Sequence, residues 1–173
     1  MSPAADSPEI AIREVRPEEY DALGDLTVAA YRSVGELAAG YHEHIHDVGS
    51  RAAVCPVLVA VDPSGRVLGG VTYVPGPGTP YSEVEREGEA GFRMLAVDPT
   101  AQGRGVGRRL VVACIDRARR DGRTGMVLLT RPFMTAAHGL YQSLGFRRDP
   151  ERDWWPEDDL ELIAFAVEFD RAG

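Results

Sequence analysis

From Gln102 to Arg109 the chain reads QGRGVGRR, with glycines at 103, 105 and 107. Glycine loses more backbone entropy on folding than any other residue, so three in five positions imply a left-handed turn or a close approach of backbone to a ligand. The residues that follow, Gly105 to Asp121, place Leu110, Val111, Cys114, Ile115 and Ala118 on one helical face. A glycine-rich loop opening into a helix presents unpaired N–H groups and the positive end of the helix dipole, a combination suited to phosphate. Arg104, Arg108 and Arg109 add positive charge there.

Three phosphate-binding patterns compete for this loop. The P-loop needs a lysine, and the chain contains none. The dinucleotide fingerprint needs a third glycine where Arg108 stands, and belongs after the first strand, not in mid-chain. Gln102, Gly105 and Gly107 satisfy the third pattern, Q/R-x-x-G-x-G/A at a strand-to-helix junction. Other chemistry has less support. His42, His44 and His46 alternate, and on a helix only His42 and His46 share a face, so a metal would need a third ligand; no metal is expected. Cys55 and Cys114 stand in apolar runs and read as core thiols. No G-x-S-x-G elbow and no Cys-x-x-Cys occurs, which removes hydrolase and zinc-ribbon readings.

The elements that position the loop follow from periodicity. Glu9 to Val15 alternates as a strand, and Pro17 opens a helix with acidic residues in its first turn. A second helical stretch covers Gly35 to Ala53. Pro56 to Val61 and Val67 to Val74 form a hairpin around DPSG. Pro75 to Glu89 is a loop, Ala90 to Val97 a strand, Gly105 to Asp121 a helix, and Gly125 to Thr130 a strand. Met134 to Leu144 is helical, Phe146 begins a short strand, and Leu160 to Phe169 is the last. The order β-α-α-β-β-β-α-β-α-β-β describes a mixed α/β fold. Residues 1–8 are expected to be a disordered lead-in and 9–173 one domain. Trp154 and Trp155, ahead of the last strand, are expected to cap the core or wall a pocket, core being the commoner fate.

Net charge is -8, yet Arg104 to Arg131 holds eight arginines against Asp116 and Asp121. A local basic zone on an acidic chain argues for a compact anionic ligand and against nucleic acid. No apolar run reaches membrane-span length and the N-terminus lacks a signal peptide, so a cytoplasmic location is expected, with no membrane partner.

The strand FRMLAVDP, the loop QGRGVG with its helix, and the later MTAAHGLYQSLGF together resemble the GCN5-related N-acetyltransferase (GNAT) family. The resemblance implies that fold, with acetyl-CoA as co-substrate and direct acetyl transfer to a primary amine. It assigns cofactor binding to Met94, Leu95, Ala96 and Val97 on the strand, to Gln102, Gly103, Arg104, Gly105, Val106, Gly107 and Arg108 in the loop, and to Ala137 and Tyr141. A backbone N–H of the Met94–Val97 strand would stabilise the developing oxyanion, and Tyr141 would act as general acid. In the family this strand splays from its neighbour to admit pantetheine. The amine must lose a proton before attack, because an alkyl ammonium titrates near 10. Glu89 is the candidate base among Glu83, Glu85, Glu87 and Glu89, a water relay being the alternative; the commonest family position for that carboxylate is Gly91 here. Met134 replaces the usual Asn.

The His42–His46 region corresponds to acceptor-site lining in that family. The expected acceptor is a small-molecule amine. The alternatives are a protein N-terminus or lysine, or a non-catalytic acyl-CoA sensor. Homodimers are common for the fold, and the sequence leaves that point open.

Overall fold

The computed structural model describes residues 9–35 and 40–170; the expected lead-in at 1–8 and positions 36–39 of the second helical stretch lie outside them. The elements are β1 (Ala11–Glu14), α1 (Tyr20–Arg32), α2 (Tyr41–His46), α3 (Val48–Ala52), β2 (Val57–Val61), β3 (Val67–Val74) and β4 (Glu89–Val97). They continue with α4 (Val106–Arg120), β5 (Gly125–Thr130), α5 (Thr135–Ser143), β6 (Arg147–Arg148), β7 (Trp154–Glu157) and β8 (Leu160–Glu168). Among the described residues the strand order is β1-β2-β3-β4-β5-β8-β6, with β7 paired to β8. This is the mixed α/β architecture the sequence predicts, with β7 added. The chain packs as two compact units, Met1–Thr72 with Met94–Val111, and Tyr73–Arg93 with Val112–Gly173.

In the first unit β1, β2 and β3 are antiparallel neighbours. The β2–β3 turn is built by Asp62, whose carboxylate accepts from the amides of Ser64 (2.9 Å) and Arg66 (3.0 Å). Every residue of β2 and β3 is buried, as expected of strands covered on both faces. Leu23 and Leu26 of α1 pack into one cluster with Val57, Val59 and Ala96. The expected helix over 35–53 is two helices, because Asp47 leaves helical geometry (φ -79°, ψ 74°) and caps α3 by accepting from Ser50 N at 3.1 Å. Arg51, 1% exposed, reaches back to Ile45 O (2.9 Å) and across to Thr72 Oγ1 (3.2 Å), satisfying a carbonyl that ends α2.

In the second unit β4 runs parallel to β5 from Glu89↔Gly125 to Phe92↔Leu128, and β8 pairs antiparallel with β5, β6 and β7. The tryptophans do not take the commoner of their two expected places, the core. Trp154 and Trp155 start β7, which pairs only with β8, and all four of its residues are exposed. A short ribbon strand off the main strand order leaves both indoles at the surface.

Candidate active site

The glycine loop is built wholly within the first unit. Asp98 caps a single 3-10 turn at Pro99–Ala101 by accepting from Thr100 N at 2.8 Å, and Arg66 holds its other oxygen at 2.9 Å. Gly103 and Gly105 follow with φ of 81° and 75°. Nothing lies within 4 Å of where a Cβ would stand at either position, so left-handed backbone, not crowding, requires glycine there. The first intrahelical bond of α4 runs from Arg109 N to Gly105 O (3.1 Å), so the helix ladder begins only after the amides of Val106 and Gly107.

The helix end is fixed in place by buried side chains. Val106 and Leu110 are 1% and 0% exposed. Both pack over Gly69 of β3, where a Cβ would stand 2.7 Å from Ala96 O and 3.1 Å from Val106 Cγ1. Gly69 thereby lets α4 approach the strand pair closely, while Gln102, Gly103, Arg104, Gly105 and Arg108 remain exposed. A helix start held by buried side chains, with open space beside its glycines and exposed arginines on its rim, suits a diphosphate. The residues present therefore fit the pyrophosphate of acetyl-CoA.

Just upstream, Met94 has φ 55°, the one positive value at a non-glycine among the described residues. Such a conformation costs about 1–2 kcal/mol for an ordinary residue. It falls two residues after Phe92↔Leu128, where the β4–β5 register pairs end. Strain of this kind, at the point where a strand leaves regular pairing, clusters at functional sites. Leu95, Ala96 and Val97 complete the strand, with Ala96 3% exposed.

The second unit contains Tyr141. Its helix ends as the sequence predicts, with Gly145 at φ 93° and the amides of Gly145 and Phe146 bonded to Gln142 O (3.1 Å) and Tyr141 O (3.0 Å). The Tyr141 ring, 5% exposed, packs against Phe92, Phe146 and Phe165 with centroids at 5.8, 6.2 and 6.1 Å. Burial pushes its phenol upward from the usual value. The hydroxyl makes no hydrogen bond among the described residues. An apolar socket that keeps a phenol protonated and leaves its proton uncommitted is suited to a proton donor. Ala137 lies half-buried one turn earlier on α5. Met134 accepts the Thr130 hydroxyl on its sulfur at 3.9 Å, occupying the position of the expected Asn with a soft apolar group.

The glutamates separate by partner. Glu89, the candidate base, is bound at both oxygens by Arg152 (2.6 and 3.0 Å) and also accepts from Arg86 N (2.8 Å). Both of its oxygens are thus engaged by Arg152. Glu85 is fully buried between Arg93 Nη2 (2.5 Å) and Glu83 N (2.7 Å). Its carboxylate fills the space a Cβ on Gly91 would take, which explains the glycine at that strand position. Among the described residues Glu83 keeps one oxygen uncommitted, its other oxygen lying 3.3 Å from Arg93 Nε. Burial raises the pKa of Glu83, Arg93 opposes this, and the neighbouring Glu85 raises it further. Arg93 and Arg152 carry no local sequence signal as partners; Arg152 is 63 residues from Glu89.

The remaining residues singled out in the sequence have structural explanations. His42 and His46 stack at 6.4 Å, and His46 Nε2 lies 2.8 Å from Asp25 Oδ1. Among the described residues no group of three or more His, Cys, Asp or Glu is placed to hold a metal ion. Cys55 and Cys114 are free and buried, and burial raises both thiols. No helix among the described residues is long and apolar enough to cross a membrane.

Comparison with known proteins adds an independent line. A family model described as the acetyltransferase (GNAT) family matches residues 20–146. An IAA acetyltransferase of Azospirillum brasilense is 30% identical over 158 residues, 90% of this chain and 96% of that protein. A mycothiol acetyltransferase of Arthrobacter sp. (strain FB24) is 41% identical over 91 residues, 53% of this chain; the chain spans only 27% of that relative's length. Among solved structures, an acetyltransferase from Salmonella typhimurium with its cofactor acetyl-CoA superposes with a TM-score of 0.65 at 22% identity, covering 94% of this chain and 95% of that one.

Proposed function

Because this chain belongs to the acetyltransferase (GNAT) family, we propose that it moves the acetyl group of acetyl-CoA to the amine of a small molecule, with residues 9–173 working as one catalytic domain. The observation that carries the reading is the start of α4 directly behind the left-handed glycines 103 and 105, with open space beside both. Relatives named for mycothiol and IAA favour a small acceptor over a protein one. Acetyl-CoA, when bound, supplies an activated acyl group on sulfur.

The chain's own residues then have separable tasks. Amides of Val106, Gly107 and Arg108, with Gln102, Gly103 and the Arg104 and Arg108 side chains at the rim, hold the diphosphate. Met94 to Val97 present backbone to the acyl oxygen, and Ala137 leaves room for the pantetheine arm. Glu83, with an uncommitted oxygen, replaces Glu89 as the group that takes the ammonium proton, and Glu85 and Arg93 position it. Tyr141 gives its hydroxyl proton to the sulfur as the carbon–sulfur bond breaks. The second proton leaves the new amide nitrogen to solvent, and solvent reprotonates Tyr141.

The test combines melting and turnover. At a hundredfold excess over Kd a ligand stabilises by about 2.7 kcal/mol, which for a chain of this size is a shift of about 5–10 °C. Acetyl-CoA and CoA are expected to give that shift, with thiol release on a panel of small amines. A CoA shift with no turnover on amines or peptides would identify an acyl-CoA sensor. A shift with NAD(P) but none with CoA would overturn the assignment.

A further inference from the structure

A guanidinium N–H withdrawn from water without a partner is costly, because its lost hydration is not replaced. Arg131 carries such a group: its Nε is buried and has no hydrogen-bond partner among the described residues. Two arginines of the same unit answer carboxylates, Arg148 with Asp153 (2.7 Å) and Arg152 with Glu89 (2.6 Å), while Arg123 shares with Arg131 a buried Nε without a hydrogen-bond partner among the described residues. No ion pair answers Arg131 among the described residues. Its guanidinium carbon instead lies 5.1 Å from the centroid of Phe133, a ring that is 52% exposed. Stacking on a ring restricts the side chain while leaving the edge of the planar fork for a ligand.

The location is equally specific. Arg131 follows the last residue of β5, and its carbonyl accepts from Met134 N (3.1 Å) and lies 3.0 Å from His138 Nε2. His138 and Tyr141 are three residues apart on α5, and both rings pack on Phe165, at 5.2 and 6.1 Å. The backbone of Arg131 is thus fixed to the helical turn that leads to Tyr141. A cation placed there without a counter-charge has a use if the ligand brings the charge. We infer that Arg131 recognises an oxyanion, a carboxylate or a phosphate, on a ligand of the acetyl-transfer site.

This rests on the function proposed above. Two ligands could bring the oxyanion, the acceptor amine through a carboxylate or CoA through its 3′-phosphate. A planar guanidinium binds either through paired N–H···O bonds, and lysine does not reproduce that geometry.

Two variants test the inference, Arg131→Gln and Arg131→Lys, each checked for an unchanged melting temperature without ligand. One arm titrates CoA and 3′-dephospho-CoA into the free proteins by calorimetry. The other compares KM for alanine, methionine, phenylalanine and tryptophan with KM for their carboxamides. Losing a charge-assisted pair predicts a weakening of about 10- to 100-fold in Arg131→Gln, with Arg131→Lys between it and the natural chain. A loss confined to the carboxylates places the oxyanion on the acceptor; a loss confined to CoA over dephospho-CoA places it on the cofactor. In the natural protein the Arg131 Nε–H proton resonance is expected to shift with the same ligand. If neither arm changes and the resonance stays still with both ligand classes, the inference is overturned. If no amine is turned over but CoA binding weakens in Arg131→Gln, Arg131 still recognises an anion and the transferase reading falls.

Discussion

Replacing Tyr141 by Phe removes one oxygen and leaves the ring. The ring makes the contacts with Phe92, Phe146 and Phe165, and the hydroxyl makes no hydrogen bond among the described residues. Stability should therefore change by no more than about 0.5 kcal/mol, the range of substitutions that disturb no packing or bonding. For a chain of this size that is about 1–2 °C in melting temperature. Loss of a positioned general acid costs about 100- to 10,000-fold in rate, or about 2.7–5.4 kcal/mol at 1.36 kcal/mol per decade. The affinity for CoA should be retained, since the deleted group acts on the sulfur only as its bond breaks. The assay is thiol release at saturating acetyl-CoA and amine, with calorimetric CoA titration and a melting curve on the same sample. Burial raises the phenol above its usual value of 10.0. An acid works while protonated, so Tyr141 should impose no descending limb on kcat below about that pH. A Phe variant with kcat within threefold of the natural enzyme would refute the assignment. A variant that melts many degrees lower would show that the hydroxyl has a structural partner and refute the reasoning from its unbonded state.

Two further outcomes follow from the geometry. Gly105→Ala places a Cβ at φ 75°, which costs about 1–2 kcal/mol. Because the surrounding space is open, the loss should appear both in the melting temperature and as a raised KM for acetyl-CoA, with the amine KM unchanged. Glu19→Gln breaks the paired bonds from Arg13 (2.8 and 2.8 Å) and the bond from Arg16 N (2.8 Å) that set the entry to α1. Those bonds, the Arg13 guanidinium foremost, lower the Glu19 pKa from 4.5, so their contribution is present above that value and lost as pH falls through the lowered one. Denaturant melts should show a gap of about 1–2 kcal/mol at pH 7 that narrows as the pH falls below 4.5 and through the lowered Glu19 pKa.

The glycine loop and α4 were legible because the features that make them are local. Positive φ at Gly103 and Gly105 and the apolar stripe through Leu110, Val111 and Cys114 arise within twenty residues of chain. The helix of Tyr141 was legible for the same reason, its left-handed cap being supplied by Gly145. The tryptophans stay out of the core because composition reports how apolar a side chain is, not whether the strand beneath it joins the main order of the sheet.

Residue types and spacing determined the mixed α/β order, the glycine-led start of α4 and the tyrosine helix that follows it, since hydrophobic period and backbone sterics act over a few residues. Tertiary structure decided which carboxylate remains available. Arg152 binds Glu89 at both oxygens, Arg93 holds Glu85, and the missing side chain of Gly91 gives Glu85 its place, which leaves Glu83 with an oxygen to offer. An ion pair depends on distance in space, and along the sequence nothing distinguishes one glutamate of SEVEREGE from the next.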